Sequence, residues 1–375
     1  MAVSVGLIVN PIAGMGGKVG LKGTDGEAIL ERARMLGAEP LANERTGIAL
    51  VAAAWTHGAP ELFTVAGDMG ENVAQAAGLD PHIVGQSRAG ASDAGDTAAA
   101  AQAMLGRGVD LILFAGGDGT ARDIFQIAGQ QIPLLGIPTG VKMHSAVFAT
   151  GPASAGRLAA EFLSDGSDRI RLADAEIMDI DEEEQRRNRL SARLFGYARV
   201  PYERRLIQHA KAASTTSGAG ELNALTREIA EQMASGMLHI IGPGSTTQNL
   251  LKHMGLEGTL LGADVVLDGD LVVKDASEAD LLAVLDGRSA RIITGVIGGQ
   301  GFLLGRGNQQ ISAKVIQRVG VDNIMVVAAA EKLIALDTSR LLVDTGDRDL
   351  DAELSGFIRV HTGPGQTMML RVSAA

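Results

Sequence analysis

The residues best suited to chemistry form the run Gly116-Gly117-Asp118-Gly119-Thr120, which directly follows the apolar segment Val109–Ala115. Glycines let a backbone approach a ligand closely, and a helix that starts here offers unpaired N–H groups and a positive dipole end to an anion. An aspartate repels phosphates, so its presence here indicates a chemical role. It could accept a proton from an attacking hydroxyl or help to hold a metal ion that bridges the phosphates. The alternative is a structural turn in which Asp118 caps the helix.

A second glycine-rich turn runs from Asn10 to Lys18 and follows the first apolar segment of the chain. It does not match a Walker A phosphate loop, because Ile12 and Val19 stand where that motif needs glycine and Ser or Thr. Val19 also occupies the place of the third glycine in the dinucleotide-binding fingerprint. The turn is therefore as compatible with a connecting loop as with a site, and as a site it makes Asn10 a nucleotide contact.

A third candidate is the turn Gly242-Pro243-Gly244-Ser245-Thr246-Thr247, between the apolar run Met237–Ile241 and a helix predicted over Gln248–Met254. Small hydroxyl residues at a helix start can donate to ribose hydroxyls or phosphates. The predicted contacts are Gly244, Ser245, Thr246 and Thr247. Capping of the helix by Ser245 or Thr246 explains the same residues equally well.

A fourth candidate is the long segment Gly298–Ser312, in which amide side chains are dense among glycines. Such residues are costly to order unless they bind something, and a planar guanidinium at Arg306 suits a phosphate. The predicted contacts are Gly299, Gln300, Arg306 and Asn308. The alternative is that Asn308 and Gln310 are buried and hold the turn together.

The first half of the chain alternates short apolar runs with helical patterns, which predicts a doubly wound parallel sheet of the α/β class. Uniformly aliphatic runs such as Leu111–Phe114 are typical of strands buried on both faces. The predicted strands are Val3–Val9, Leu62–Ala66, His82–Gly85, Val109–Ala115 and Pro133–Ile137. The predicted helices are Gly26–Leu36, Gly47–Trp55, Gly70–Ala77, Ser92–Leu105 and Thr120–Ile127.

The sequence changes character after Gly151, and we divide the chain into residues 1–150, 151–345 and 346–375. The first is a nucleotide-binding α/β domain, the second a β-containing substrate domain, and the third a pair of closing strands. A helix over Ala153–Leu163 precedes strands at Asp168–Ile180 and Arg189–Val200, and the charged run 181–187 between them is predicted to be a solvated hairpin turn. Further predictions are a mobile loop at Lys211–Gly220, α/β alternation over 237–330, and strands at Gly356–Val360 and Thr367–Val372.

Composition excludes several classes of function. The net charge is −11 without a Lys/Arg run, which argues against a nucleic-acid partner. The absence of cysteine excludes disulfides, thiolate metal sites and thiol nucleophiles. No stretch of 18 uncharged apolar residues predicts a membrane span, and the first residues lack the pattern of a signal peptide. We therefore expect a cytoplasmic protein with small-molecule nucleotides as partners, with no membrane or nucleic-acid partner, and assembled as a homo-oligomer.

The Gly116–Thr120 run after a buried strand resembles the signature of the superfamily that contains NAD kinases and diacylglycerol kinases. The Gly244–Thr247 turn resembles the Gly-Ser-Thr-Ala loop of NAD kinases, in the expected order along the chain. Three further segments are similar to the ATP–NAD kinase-like branch linked with acetoin-catabolism clusters, and the likeness covers most of the chain. They are Leu135–Met143, which contains Thr139 and Gly140, together with Gly298–Ser312 and Val343–Asp347.

The resemblance implies an NAD kinase-like architecture, with an N-terminal α/β domain, a second β-containing domain and an active site between them. The family aspartate that activates the acceptor hydroxyl corresponds to Asp118, and its phosphate loop to Gly116, Gly117, Gly119 and Thr120. Thr246 and Thr247 fall where NAD kinases contact the acceptor dinucleotide. The chain departs from NAD kinases in one respect, since their acceptor-gripping Asn-Glu or Asn-Asp pair has no counterpart between the two motifs.

The leading hypothesis is a Mg²⁺-dependent kinase that moves a phosphoryl group from ATP, or another phosphate donor, to a hydroxyl of NAD or a related nucleotide. The metal ligands stay unassigned. A kinase for a lipid or sugar hydroxyl is an alternative, although no basic or aromatic amphipathic stretch favours the lipid. A nucleotide-sensing protein without catalysis is another, and the presence of Asp118 argues against it.

Overall fold

The computed structural model describes residues 3–21, 27–55, 58–87, 92–140, 143–164, 170–180, 192–203, 206–207, 219–233, 235–297, 301–336 and 340–375. These residues form a five-stranded sheet, a two-stranded hairpin and a nine-stranded sheet. No helix within these ranges is long and apolar enough to cross a membrane.

The five-stranded sheet is entirely parallel, and its strand order is β3-β2-β1-β4-β5. The chain proceeds outward from β1 to β3 and then returns to the other side of β1 with β4. In open α/β sheets, ligands bind outside the carboxyl ends of the strands at this point of reversal. The strands are β1 (Ser4–Val9), β2 (Glu61–Val65), β3 (His82–Gly85), β4 (Leu111–Gly116) and β5 (Leu134–Pro138).

Six α-helices and a short 3₁₀ segment accompany this sheet in the described residues. Helix α4 starts at a reciprocal capping box between Asp93 and Asp96 and ends at Gly108 in the left-handed conformation. Helix α5 buries Ala121, Ile124 and Ala128, which recur at helical spacing on one face. The helices are α1 (Glu27–Met35), α2 (Ala42–Ala53), α3 (Glu71–Ala76), α4 (Ala94–Arg107), α5 (Asp118–Ala128) and α6 (Pro152–Leu163), with the 3₁₀ segment at Gly67–Met69.

The predicted α/β class is therefore confirmed, and the differences lie at helix starts. Helix α2 begins at Ala42 rather than Gly47, because Ala42 is fully buried and its carbonyl accepts a hydrogen bond from the Thr46 hydroxyl. Helix α5 begins at Asp118 rather than Thr120. Glycine has a low helix propensity. Because Gly119 follows Asp118, the sequence pattern predicted a start at Thr120, two residues too late.

A long antiparallel hairpin, β6 (Arg171–Ile180) and β7 (Ala192–Tyr202), packs against helix α5. Its buried side chains, among them Ile177 and Val200, join the hydrophobic core of the first sheet. This core therefore extends well past residue 150. The charged run 181–187 lies outside the described residues.

The nine-stranded sheet has the order β10-β9-β8-β11-β13-β15-β16-β14-β12 and mixes parallel with antiparallel pairs. Its strands are β8 (Leu238–Ile241), β9 (Ala263–Leu267), β10 (Asp270–Ala276), β11 (Ala290–Gly295), β12 (Phe302–Leu304), β13 (Ile324–Val327), β14 (Arg340–Val343), β15 (Gly356–Gly363) and β16 (Gln366–Ala374). Its helices are α7 (Ala219–Gln232), α8 (Ser245–His253), α9 (Glu278–Val284), α10 (Ala313–Val319), α11 (Ala330–Ile334) and α12 (Arg348–Leu354), with a 3₁₀ segment at Val321–Asn323.

One expectation for the second half needs correction. Ala219 and Gly220 belong to helix α7 rather than to a loop, while residues 211–218 lie outside the described residues. The two predicted strands near the end of the chain are present as β15 and β16, which pair between β13 and β14 in the interior of the sheet. The boundaries at 150 and 345 stay predictions.

Candidate active site

Three loops meet at the carboxyl edge of the first sheet, following β1, β4 and β5. The Asn10 amide donates to the Ala115 carbonyl at 2.9 Å, and the amides of Thr139 and Gly140 both donate to the Gly116 carbonyl at 3.2 Å. The Thr139 hydroxyl donates to the same carbonyl at 2.9 Å. The structure therefore brings together the predicted residues of all three loops.

The side chains of Asn10 and Thr120, two of the predicted residues, form hydrogen bonds within these loops. The Asn10 side-chain amide donates to Thr120 Oγ1 at 3.1 Å, and Asn10 Oδ1 accepts the Ile12 N–H at 3.3 Å. Thr120 and Thr139 are both buried. Asn10, Thr120 and Thr139 thus shape the loops, and their contact with a ligand stays a prediction.

The glycines of the central loop differ in what surrounds them. A methyl group on Gly116 would lie 2.4 Å from the Thr120 side chain, so glycine is required there by packing within the protein. A methyl group on Gly117 would lie 3.5 Å from Gly140 Cα, an ordinary contact distance. Gly117 and Gly119 are half-buried, and Gly117 lies beside Gly140, so the contact of these two glycines with a phosphate stays a prediction.

Asp118 is the first residue of helix α5, and its side chain is only 7% exposed. One carboxylate oxygen accepts the His144 N–H at 2.8 Å, and the other accepts the Ser145 N–H at 2.9 Å. The side chain is thus fixed by the backbone of a segment that follows β5. Its partners lie outside the helix, and Gly117 takes the N-cap position. The helix-cap explanation of Asp118 is therefore wrong.

The electrostatics of Asp118 suit a group that exchanges protons near neutrality. Burial raises the pKa of its carboxyl from 3.8 to about 6, while hydrogen bonds from Ser145 and His144 act in the opposite direction. General bases are most effective when their pKa lies near the working pH.

Gln309, a residue that the sequence reasoning missed, reaches these loops from the second domain. Its Nε2 lies 3.5 Å from the Gly140 carbonyl, and a methyl on Gly17 would lie 2.5 Å from Gln309 Oε1. Oε1 is buried and has no hydrogen-bond partner among the described residues. An acceptor left in this way favours a donor from outside the protein.

Arg306 lies deeper than predicted. Its side chain is 5% exposed, its Nε donates to Asp344 Oδ2 at 3.1 Å, and one terminal nitrogen donates to the Thr150 carbonyl at 2.7 Å. Arg45, from helix α2, pairs with the same Asp344 oxygen at 2.5 Å. The guanidinium of Arg306 thus ties the second domain to the first.

The remaining residues of this segment have clear positions. Asn308 is fully buried, accepts the Gly305 N–H at 2.9 Å and donates to the Leu303 carbonyl at 2.9 Å. These contacts favour the turn-holding alternative for Asn308, because its side chain is used within its own loop. Gln310 is also buried. Gly299 and Gln300 lie outside the described residues.

The Gly244–Thr247 turn forms the start of helix α8, with Gly244 as N-cap at a φ of +136°. Neither Ser245 nor Thr246 caps the helix, and the buried Thr247 donates from its hydroxyl to the Gly244 carbonyl at 3.0 Å. Ser245 is exposed and Thr246 is half-buried. Both hydroxyl groups therefore border solvent, and their contact with a ligand stays a prediction.

The donor set of the described residues does not form a protein cage for a metal ion. No group of three or more His, Cys, Asp or Glu side chains in these ranges has suitable spacing.

The fold is thus an α/β domain in which glycine-rich loops surround a buried aspartate at the carboxyl edge of the parallel sheet, followed by a β-rich domain. A family model described as the ATP-NAD kinase N-terminal domain matches residues 5–167, and one described as the ATP-NAD kinase C-terminal domain matches residues 235–372. The chain belongs to the NAD kinase-like family, which confirms the resemblance and indicates an ATP-dependent kinase. Searches of curated proteins and of solved structures found no match.

Proposed function

We propose that this protein transfers the γ-phosphoryl group of ATP to a hydroxyl of NAD or a related nucleotide, with Asp118 as the general base. The observation that carries the proposal is the placement of Asp118. It is a buried carboxyl with a pKa raised to about 6 by burial, at the sheet's point of strand reversal, with glycine backbones beside it.

In the proposed reaction the acceptor hydroxyl gives its proton to a carboxylate oxygen of Asp118. The hydroxyl oxygen then forms a bond to the γ-phosphorus as the bond from that phosphorus to the β–γ bridging oxygen breaks, which releases ADP. A carboxylate has about four acceptor positions. Two are taken by the His144 and Ser145 amides and a third by the Ser145 hydroxyl, so one position remains for a substrate hydroxyl.

The glycine backbones supply the space for phosphates. Gly117 and Gly119 border the cleft at the start of helix α5, where unpaired N–H groups and the helix dipole favour anions. Gln309 contributes a neutral acceptor from the second domain. Mg²⁺, which accompanies ATP in this chemistry, would be held mainly by the nucleotide's phosphates, and it neutralises their charge.

The acceptor is tested directly by incubating the purified protein with ATP and Mg²⁺ and with NAD, NADH, a nucleoside, a sugar or a lipid in turn. ADP formation and the mass of the phosphorylated product identify the acceptor. We expect a product one phosphoryl group heavier than NAD. A product formed only with a sugar or lipid would overturn the nucleotide assignment, and nucleotide binding without any turnover would favour a sensor.

A matched pair of variants separates catalysis from folding. Asp118→Asn removes the proposed base, whereas Asp123→Asn alters a carboxyl on the same helix that pairs with Arg122. We expect turnover to collapse only in the first variant.

A further inference from the structure

Ser145 lies directly behind the proposed base and is completely buried. Its amide donates to one Asp118 oxygen at 2.9 Å, and its hydroxyl makes a second, side-chain hydrogen bond with the same carboxyl. Neither the sequence motifs nor the family match assigns a role to this residue.

The Ser145 hydroxyl is also held from the opposite side. The Met178 N–H of strand β6 donates to Ser145 Oγ at 2.9 Å. A serine hydroxyl has one proton and two acceptor positions, whereas an ionised carboxylate can only accept. When Asp118 is ionised, the Ser145 hydroxyl is therefore the donor in the hydrogen bond between them.

The hairpin also holds the backbone of this segment. The Ala146 N–H donates to the Glu176 carbonyl of β6 at 2.8 Å, beside the Met178 contact. The hairpin, Ser145 and Asp118 therefore form a continuous hydrogen-bonded chain that ends at the carboxylate.

We propose that Ser145 is a positioning residue that fixes the Asp118 carboxylate and maintains it as a proton acceptor during phosphoryl transfer. This inference rests on the proposed function, because it needs Asp118 to act as the base. A neutral hydroxyl that donates to a carboxylate favours the ionised form, which opposes the effect of burial.

Other titratable groups do not account for the ionisation of Asp118. Arg122 and Asp123 on its own helix pair with each other, and His144 and Glu176 lie on the segment and the strand packed behind it. The causes that shift the pKa of Asp118 are burial, which raises it, and the hydrogen bonds from Ser145 and His144, which lower it. Removal of the Ser145 hydroxyl is therefore expected to raise that pKa further.

The test compares pH profiles of kcat for the wild type, Ser145→Ala and Ser145→Cys. We expect the acid limb of Ser145→Ala to move upward by about one pH unit, since a hydrogen bond to a charged group is worth roughly that much. Turnover should fall several-fold near pH 6.5 and recover above pH 8. Ser145→Cys, which fills the same space with a weaker donor, should shift the limb less and in the same direction.

The matched control is Ser154→Ala, which removes another buried serine hydroxyl, one that accepts from Thr150 far along the chain from Asp118. We expect its pH profile to coincide with that of the wild type. A second readout is independent of turnover: ¹³C NMR titration of the aspartate carboxyls, with the Asp118 signal assigned from its loss in Asp118→Asn. The Asp118 titration should move upward in Ser145→Ala and stay unchanged in Ser154→Ala.

The outcomes separate the two proposals. If Asp118→Asn retains wild-type turnover, the proposed function fails. If Asp118→Asn loses turnover while Ser145→Ala leaves both the pH profile and the NMR titration unchanged, only the role of Ser145 is overturned. Ser145→Ala should also have no further effect on residual turnover in an Asp118→Asn background, and an additive loss there would contradict action through Asp118.

Discussion

The side-chain amide of Asn10 donates to the hydroxyl oxygen of Thr120 at 3.1 Å, although 110 positions separate the two residues. The bond joins the loop after β1 to the start of helix α5, across the point where the strand order reverses. It therefore fixes the two walls of the proposed phosphate site relative to each other.

The two adjacent glycines of the central loop should respond differently to alanine. Gly117→Ala places its methyl at ordinary contact distance from Gly140, so we expect little change in melting temperature and a clear loss of ATP affinity. Gly116→Ala forces a methyl to within 2.4 Å of Thr120, so we expect a loss of stability of about 1–3 kcal/mol. Isothermal titration and thermal melts measure both effects. Unchanged ATP affinity in Gly117→Ala would contradict the phosphate-loop assignment.

Asp118→Asn should lower kcat by about 10²–10⁴-fold, the usual contribution of a general base. Nucleotide affinity should hold or improve, because a negative charge beside the phosphates is removed. Turnover and affinity are measured across a Mg²⁺ titration, with a melt to confirm folding. If a higher Mg²⁺ concentration partly restores the turnover of the variant, Asp118 holds a metal ion instead. Near-wild-type turnover in the folded variant would exclude Asp118 as the base.

The pH dependence of turnover follows from the raised pKa of Asp118. The carboxyl must be ionised to accept a proton, so kcat should fall as the pH drops through about 6, the value to which burial raises this pKa. Below that pH the protonated carboxyl cannot act as a base. A kcat profile between pH 5 and 9 tests this, and the residual activity of Asp118→Asn should lack the acid limb. An acid limb near pH 4 would show that another group controls the rate.

Gln309 and Arg306 should have separable roles despite their proximity in sequence. Gln309→Ala removes an amide whose buried oxygen lacks a partner among the described residues, so ligand affinity should fall several-fold while the melting temperature changes little. Arg306→Lys replaces a buried planar fork with a point charge, so it should chiefly lower the melting temperature. Equal affinity of Gln309→Ala and wild type for every nucleotide tested would remove Gln309 from the site.

Asp344 should be essential for stability because it serves two guanidinium groups. Burial alone would raise the pKa of Asp344, but the charges of Arg45 and Arg306 outweigh it and hold the pKa below its usual value. Asp344→Asn would leave the buried Arg306 and the partly buried Arg45 without this counter-charge, and we expect a loss of about 3–5 kcal/mol. The exposed Asp349→Asn is the control for chemical denaturation. The stability supplied by Asp344 is present above the unfolded pKa of about 3.9 and is lost as the pH falls through the lowered folded value. A denaturation midpoint equal to that of the control would contradict a structural role for the cluster.

The sequence by itself determined the class of the fold and the identity of the candidate base. Aliphatic runs such as Leu111–Phe114 alternate with helical patterns, and this alternation is typical of buried parallel strands in an α/β domain. The Gly116–Thr120 run pointed to Asp118 because an acidic residue in a glycine loop is difficult to explain as packing alone. These are local signals, carried by residues close together in the chain.

The tertiary structure alone decided which side chains face the cleft and which hold the protein together. Arg306 and Asn308 have the chemistry of ligand contacts, yet in the fold Arg306 donates to Asp344 and to the Thr150 carbonyl, and Asn308 donates to the Leu303 carbonyl. Ser145 and Gln309 carry no sequence signal, and they matter only because folding brings them to Asp118 and Gly140. The residue type determines which hydrogen bonds a side chain can form. Contacts between distant segments of the chain determine which partner it has, and no local sequence pattern specifies those contacts.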